Sequence, residues 1–261
     1  LFVLSGHYTS PTFLGCALLL SLRRKPWAMW LEQPWPEGYR PTWTRSMAAR
    51  SPLARGTRRA ILRMLLRLTR RVFCIGTAAL EAYEKLGAPR QKLGVVPYCC
   101  DTSRFENVAP QTVERVRQEL DLHRKITFLF SGQLIERKGV DVLLTAFSRL
   151  ATERNDVALV ILGDGPLRSE FQASTSMLHA HPDRIHFAGH VPYADLPSYF
   201  KAVDIFVFPS RHDGWGVVVN EACAASLPVI NTNAVGAARD LVVDGYNGFV
   251  LERDDADGFY A

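Results

Sequence analysis

Short apolar runs rich in Val, Ile and Phe recur along the chain and alternate with polar, helix-length segments. That alternation predicts repeated βα units around parallel sheets, whose strands are buried on both faces and so read as nearly continuous apolar stretches. In the first part, strands are expected over residues 2–4, 27–31, 72–75 and 93–96, with helices between them. After "VVPYCCDTSRF" the texture turns polar, and a new apolar run, "ITFLFSG", restarts the pattern. Further strands are expected over 157–162, 184–188, 204–208, 228–231 and 248–251. The fold class is therefore α/β, with a first domain over 1–97, a crossover linker over 98–125 and a second domain over 126–261.

The longest apolar run, "FLGCALLLSL", is about half of the roughly 20 residues that span a bilayer, and it reads as a buried helix. The opening "LFVLSG" carries neither Met nor a signal-peptide charge pattern and already resembles a core strand, so a fragment is expected. Of the 261 residues, 48% are hydrophobic and 22% charged, which excludes disorder. The net charge of +5 suits an anionic ligand or an anionic membrane as well as nucleic acid, so charge alone selects no partner. Five cysteines, including adjacent Cys99 and Cys100, fall in no metal or disulfide spacing, which points to a reducing, cytoplasmic setting.

Open parallel sheets bind ligands beyond the carboxyl ends of their strands, so chemistry is sought after Phe130, Leu162, Ala188 and Phe208. "SGQLIERKG" sets Arg137 and Lys138 just ahead of a helix, where the unsatisfied N–H groups and the helix dipole also favour an anion such as phosphate; a solvated surface pair would read the same way. "LGDGP" offers a tight turn, and "FAGHVP" offers backbone groups at Gly189–Val191 for the edge of a flat ring. The richest stretch is "FPSRHDGWGVVVNEACAASLPVIN". There Gly214 and Gly216 let the backbone approach a ligand, and Val217 and Val218 open a helix with free N–H groups. Asp213 precedes that phosphate position, and Glu221, one turn into the helix, is an acceptor able to hold a vicinal diol such as a ribose. A turn residue and a surface acid are the plainer alternatives.

Two further features stand outside this set. "ARGTRRAILRMLLRLTRR" carries seven arginines and no acid, with Arg59, Arg63 and Arg67 on one helical face and Leu62, Leu65 and Leu66 towards another. It is either a sheet-covering helix with a solvated basic face or a surface for anionic lipid. Nucleic acid would require aromatic platforms or a reading helix, and neither is evident. His179, His181, His186 and His190 cluster without an acidic or cysteine partner at a metal-binding spacing, so surface histidines are expected rather than a metal site.

Taken in order, "SGQLIERKGVD", "LGDGPLR", "FAGHVP", "FPSRHDGWGVVVNEACAASLPVI" and "VDGYNGF" resemble the group 1 (family 4) glycosyltransferases, retaining enzymes of the GT-B fold. The resemblance is specific over 126–250 and looser before it. It implies transfer of a hexose from a nucleotide diphosphate sugar to a hydroxyl on a saccharide or lipid-linked acceptor, without a cofactor, at the cytoplasmic face of a membrane. It further implies two Rossmann-like domains, the N-terminal one incomplete and the C-terminal one lacking its last helices. By the same resemblance Asp213 touches the donor sugar, Gly216–Val218 cradle the phosphates, Glu221 holds the ribose and Lys138 neutralises the leaving diphosphate. The base would lie near His190 and Val191, and Gly132, Arg137, Gly214 and Trp215 complete the donor-binding set. A nucleotide-sugar-binding module without turnover and a GT-B epimerase are the alternatives.

Three positions depart from the family pattern. Asp213 stands where the first motif acid is usually Glu, Gln133 stands where the phosphate loop commonly has Arg, and Glu32 or Gln33 stands where the N-terminal domain has a histidine.

Overall fold

The computed structural model describes residues 1–34, 52–177 and 182–261, which form two compact units, 1–98 and 99–261. The first holds a four-stranded parallel sheet in the order β1 (Phe2–Ser5), β2 (Trp27–Leu31), β3 (Arg71–Cys74) and β4 (Leu93–Val95). Trp27, Met29, Leu31, Val72 and Cys74 build its core with Leu62, Leu65 and Leu66 of the helix Pro52–Leu68. That helix therefore covers the sheet with its leucines, while Arg58, Arg59, Arg63 and Arg67 remain exposed. Lys92 Nζ donates to the carbonyls of Leu66, Arg67 and Thr69, satisfying orphan acceptors at the helix end.

The helix Pro11–Leu22 forms where expected but is not buried all round. Phe13 and Ala17 face the core, whereas Leu18 and Leu22 are 61% and 73% exposed, because only one stripe of a helix can meet the single sheet beneath it. The strand β1 is likewise at an edge, with Phe2 and Val3 exposed.

The second unit holds a six-stranded, all-parallel sheet in the order β10 (Gly248–Leu251), β9 (Val229–Thr232), β8 (Ile205–Phe208), β5 (Ile126–Ser131), β6 (Val157–Leu162) and β7 (Ile185–Gly189). This is the Rossmann order, which runs outward from β5 in one direction and resumes at β8 in the other. The direction of winding changes between β5 and β8, and that is where such sheets open a ligand crevice. The strand β6 is buried throughout, and Phe130, Phe206 and Phe208 stack in the core beneath the crevice.

The stretch expected as a linker belongs largely to the second unit. Its helix Pro110–Glu119 packs on Leu196–Ala202, and Phe105 meets Phe200 edge-on. Buried apolar side chains anchor this segment, although its sequence is mostly polar.

Candidate functional site

At the carboxyl ends of β5 and β8, a cavity of about 370 Å³ is lined by Ser131, Gly132, Gln133, Arg137, Lys138, Asp213, Gly216, Val217, Val218 and Glu221. Two loops build it. After β5 the chain forms the single turn Glu136–Lys138, then Gly139 at φ 66° starts the helix Val140–Glu153. A side chain at 139 would place its Cβ 2.1 Å from the Pro209 carbonyl oxygen, so glycine lets this loop close against the one after β8. The second loop ends at Gly216, φ 88°, and enters the helix Val217–Ala224, whose first turn lines the cavity. First-turn N–H groups have no intrahelical acceptor, so this wall suits an anion.

Charge is concentrated where the loops meet. Lys138 Nζ lies 2.5 Å from Asp213 Oδ2, and Arg137 Nη1 reaches the same oxygen at 3.3 Å while donating to the His212 carbonyl at 2.8 Å. Burial raises the Asp213 carboxyl, but Lys138 and then Arg137 outweigh it and hold the group below the usual carboxylate range. The Lys138 ammonium also sits 4.6 Å from the centre of the Phe208 ring. Arg211 braces the loop from outside: it donates to both carboxylate oxygens of Asp141 at 2.9 and 2.6 Å, to Asp254 at 2.5 Å and to the Glu136 carbonyl at 2.5 Å.

Glu221 is only 7% exposed, and its carboxylate makes no ion pair among the described residues. Burial pushes its pKa up, opposed by Arg104. A carboxylate that lines the cavity and makes no ion pair is placed to accept from a ligand that brings hydroxyl groups. His212, buried beside Asp213, is driven down to about 4 by desolvation.

The structure thus brings Gly132, Arg137, Lys138, Asp213, Gly216, Val217, Val218 and Glu221 to one cavity. Gln133, in place of the usual Arg, lines it too. Trp215 does not join them: it is 2% exposed, and its indole N–H donates to Asn220 Oδ1, so it packs the loop from below. Gly214, Val191 and His190 also lie outside the lining, the last two in the loop after β7. His186 is half-buried in β7, and His179 and His181 lie outside the described residues. Among the described residues no group of His, Cys, Asp and Glu could hold a metal ion. In the first unit, Glu32 follows β2, where its carbonyl accepts from the Tyr83 hydroxyl at 2.7 Å and its carboxylate accepts from Tyr98. Sequence reasoning missed Arg211 and His212. Both lie inside the motif stretch, but nothing in the spacing shows that Arg211 reaches Asp141.

A Rossmann-like unit with cations and a helix N-terminus around a cavity at its switch point is suited to an anionic ligand. Comparison with known proteins takes the assignment further. Residues 112–261 match the family model described as glycosyl transferases group 1, and the chain belongs to that family. It is 29% identical over 228 residues to the GDP-mannose-dependent alpha-(1-6)-phosphatidylinositol monomannoside mannosyltransferase of Mycolicibacterium smegmatis, covering 84% of this chain and 56% of that protein. It is 32% identical over 155 residues to the 2-deoxystreptamine glucosyltransferase of Streptomyces kanamyceticus, covering 59% of this chain and 39% of that protein. The chain therefore spans about half the length, or less, of these relatives. Among solved structures, Anabaena HepE in complex with UDP superposes with a TM-score of 0.77 at 21% identity, over 99% of this chain and 68% of that one. The fold is GT-B.

Proposed function

We propose that the chain carries the donor site of a retaining glycosyltransferase that moves a hexose from a nucleotide diphosphate sugar to a hydroxyl acceptor in polysaccharide or glycolipid assembly. The observation that carries this reading is the buried Glu221 carboxylate, without an ion-pair partner, in the same cavity as Lys138, Arg137 and the opening turn of the helix Val217–Ala224. Glu221 accepts the ribose hydroxyls, the helix N-terminus and Lys138 take the diphosphate, and Asp213 faces the sugar. Charge on the diphosphate grows as the glycosidic bond breaks, so a fixed ammonium there stabilises the transition state more than the ground state. Relatives named as mannosyl- and glucosyltransferases, and a structural neighbour that holds UDP, support the donor class.

The test is calorimetry with UDP and GDP. Replacing Glu221 by Gln should weaken the preferred nucleotide by about 1.5–3 kcal/mol through loss of charged hydrogen bonds, with the fold intact. Unchanged affinity would refute the ribose role.

The acceptor side of the proposal is a saccharide or a lipid-linked carrier at an anionic membrane surface, with the protein peripheral on the cytoplasmic side. The exposed arginines of the helix Pro52–Leu68 support that surface. Among the described residues no helix is long and apolar enough to cross a membrane.

A further inference from the structure

Arg211 joins the two loops that build the cavity, although it lies outside the cavity lining. Its backbone N–H donates to the Arg137 carbonyl at 2.8 Å, and Ser210 Oγ donates to the same oxygen at 3.2 Å. In the side chain, Nη1 donates to the Glu136 carbonyl at 2.5 Å and to Asp141 Oδ1 at 2.9 Å, Nη2 to Asp141 Oδ2 at 2.6 Å and Nε to Asp254 Oδ1 at 2.5 Å. One guanidinium therefore ties the loop after β8 to the turn Glu136–Lys138, to the first turn of the helix Val140–Glu153 and to the segment after β10.

The turn Glu136–Lys138 carries both cations of the cavity, Arg137 and Lys138. Its own closure is slight: the Lys138 N–H donates to the Ile135 carbonyl at 3.0 Å and the Gly139 N–H to the Glu136 carbonyl at 3.1 Å. A single 3₁₀ turn of this kind has poor hydrogen-bond geometry and gains nothing from neighbouring turns. Its place is set from the other loop, where Arg211 and Ser210 hold the carbonyls of Glu136 and Arg137, and Arg137 Nη1 returns a bond to the His212 carbonyl at 2.8 Å. The carboxylates that Arg211 meets, Asp141 and Asp254, are 52% and 54% exposed, and ion pairs so exposed add little to overall stability. What the cluster fixes is position, and a shift of about 1 Å in groups that meet a reacting ligand is costly.

We propose that Arg211 is a positioning residue for the diphosphate: without touching the ligand, it fastens the Glu136 carbonyl and Asp141 to the loop after β8 and so sets Lys138 and Arg137 at the cavity wall. This rests on the reading that the cavity takes a nucleoside diphosphate. Arginine suits the task because its planar fork meets both oxygens of Asp141 while the same Nη1 reaches a backbone carbonyl and Nε reaches a second acid. A lysine ammonium cannot span these acceptors from one point. Asp141 adds to the arrangement from the first turn of its helix, where the dipole favours an acid and keeps it ionised for Arg211.

The experiment measures, by calorimetry on the full chain, the binding of UDP and GDP against uridine and guanosine, so that the affinity due to the diphosphate is read separately. Arg211→Gln should weaken the preferred diphosphate about tenfold or more and its nucleoside by less than about twofold, because the displaced turn carries the groups that meet phosphate. Arg211→Lys should recover only part of the loss. Asp141→Asn keeps Arg211 but weakens half of its fork, so it should show the same selective loss in smaller measure, and it reads the effect even if Arg211→Gln does not fold. Asp254→Asn removes the arm that does not hold the turn and should stay within about twofold of wild type. In a Lys138→Ala background, Arg211→Gln should cost less than about threefold, since residues that act through one another are not additive. Equal losses for diphosphate and nucleoside, or the full loss persisting in the Lys138→Ala background, would overturn the positioning role and leave Arg211 a structural residue. Wild-type affinity in both Arg211→Gln and Asp141→Asn would overturn it as well. If the wild type binds none of the four compounds, the nucleotide reading fails and the Arg211 role fails with it.

Discussion

The Lys138 ammonium and the Asp213 carboxylate, 75 positions apart in the chain, meet at 2.5 Å where the loops after β5 and β8 converge. On the proposed reading, the cation that takes the diphosphate is paired with the acid that faces the sugar. A diphosphate would then compete with Asp213 for Lys138, and the two partners would affect binding with opposite sign.

Replacing Asp213 by Asn should strengthen binding of UDP or GDP by about 1 kcal/mol, since it removes a negative charge and releases Lys138. Replacing Lys138 by Ala should weaken the same binding, and in a transfer assay its loss should fall more on kcat than on KM. Lys138→Arg should restore only part, because a planar fork does not replace a point charge. Weaker nucleotide binding in Asp213→Asn, measured by calorimetry, would contradict this picture.

The approach of the two loops depends on Gly139. Gly139→Ala puts a methyl group against the Pro209 carbonyl and a side chain at φ 66°, so a loss of roughly 1–3 kcal/mol in stability is expected. Nucleotide affinity should fall with it, since the displaced turn carries Arg137 and Lys138. Urea denaturation and calorimetry on one preparation check both effects.

His212 gives the site a defined acid response. Its folded-state pKa, about 4, lies below its ordinary 6.5 because burial disfavours the imidazolium. Between these values the unfolded chain binds a proton that the native state refuses. The contribution of this group to stability is therefore complete above pH 6.5 and is lost as the pH falls towards 4, by up to about 3 kcal/mol. His212→Gln should flatten that part of the stability profile, as followed by denaturant unfolding at a series of pH values.

Glu221 has the opposite sign. Its folded-state pKa lies above the ordinary 4.5, so its contribution to stability is present below that pH and declines as the pH rises through the raised value. On the proposed reading, nucleotide binding uses the ionised form and should strengthen over the same interval. Glu221→Gln should remove both slopes in thermal-shift and binding titrations.

For the basic helix, replacing Arg59, Arg63 and Arg67 together by Gln should release the protein from vesicles of anionic lipid, and wild-type binding should weaken as salt is added. The leucines on the other face are core residues, so folding should survive. Equal co-sedimentation of variant and wild type would exclude this face as the membrane contact.

Each of the ten strands was legible in the sequence, with ends within a residue or so, because a strand buried on both faces must be apolar along its length and the runs at 157–162 and 126–131 could be little else. The glycine-rich turns, the acids at 213 and 221 and the cations at 137 and 138 could be read as well, since a backbone that must approach a ligand, and charges that must meet one, restrict residue type locally. Tertiary structure alone decided which of these residues touch. The pairing of β5 with β8 brings Lys138 to Asp213 and Arg211 to Asp141, and the segment 103–106 packs on 217–224. Trp215 stands inside the motif, yet it turns into the core, because its side-chain direction follows from how the loop folds over β8 and not from its place in the chain. Periodicity records how each segment meets its own surroundings, whereas strand order and side-chain direction depend on how distant segments pack, and no local pattern carries that information.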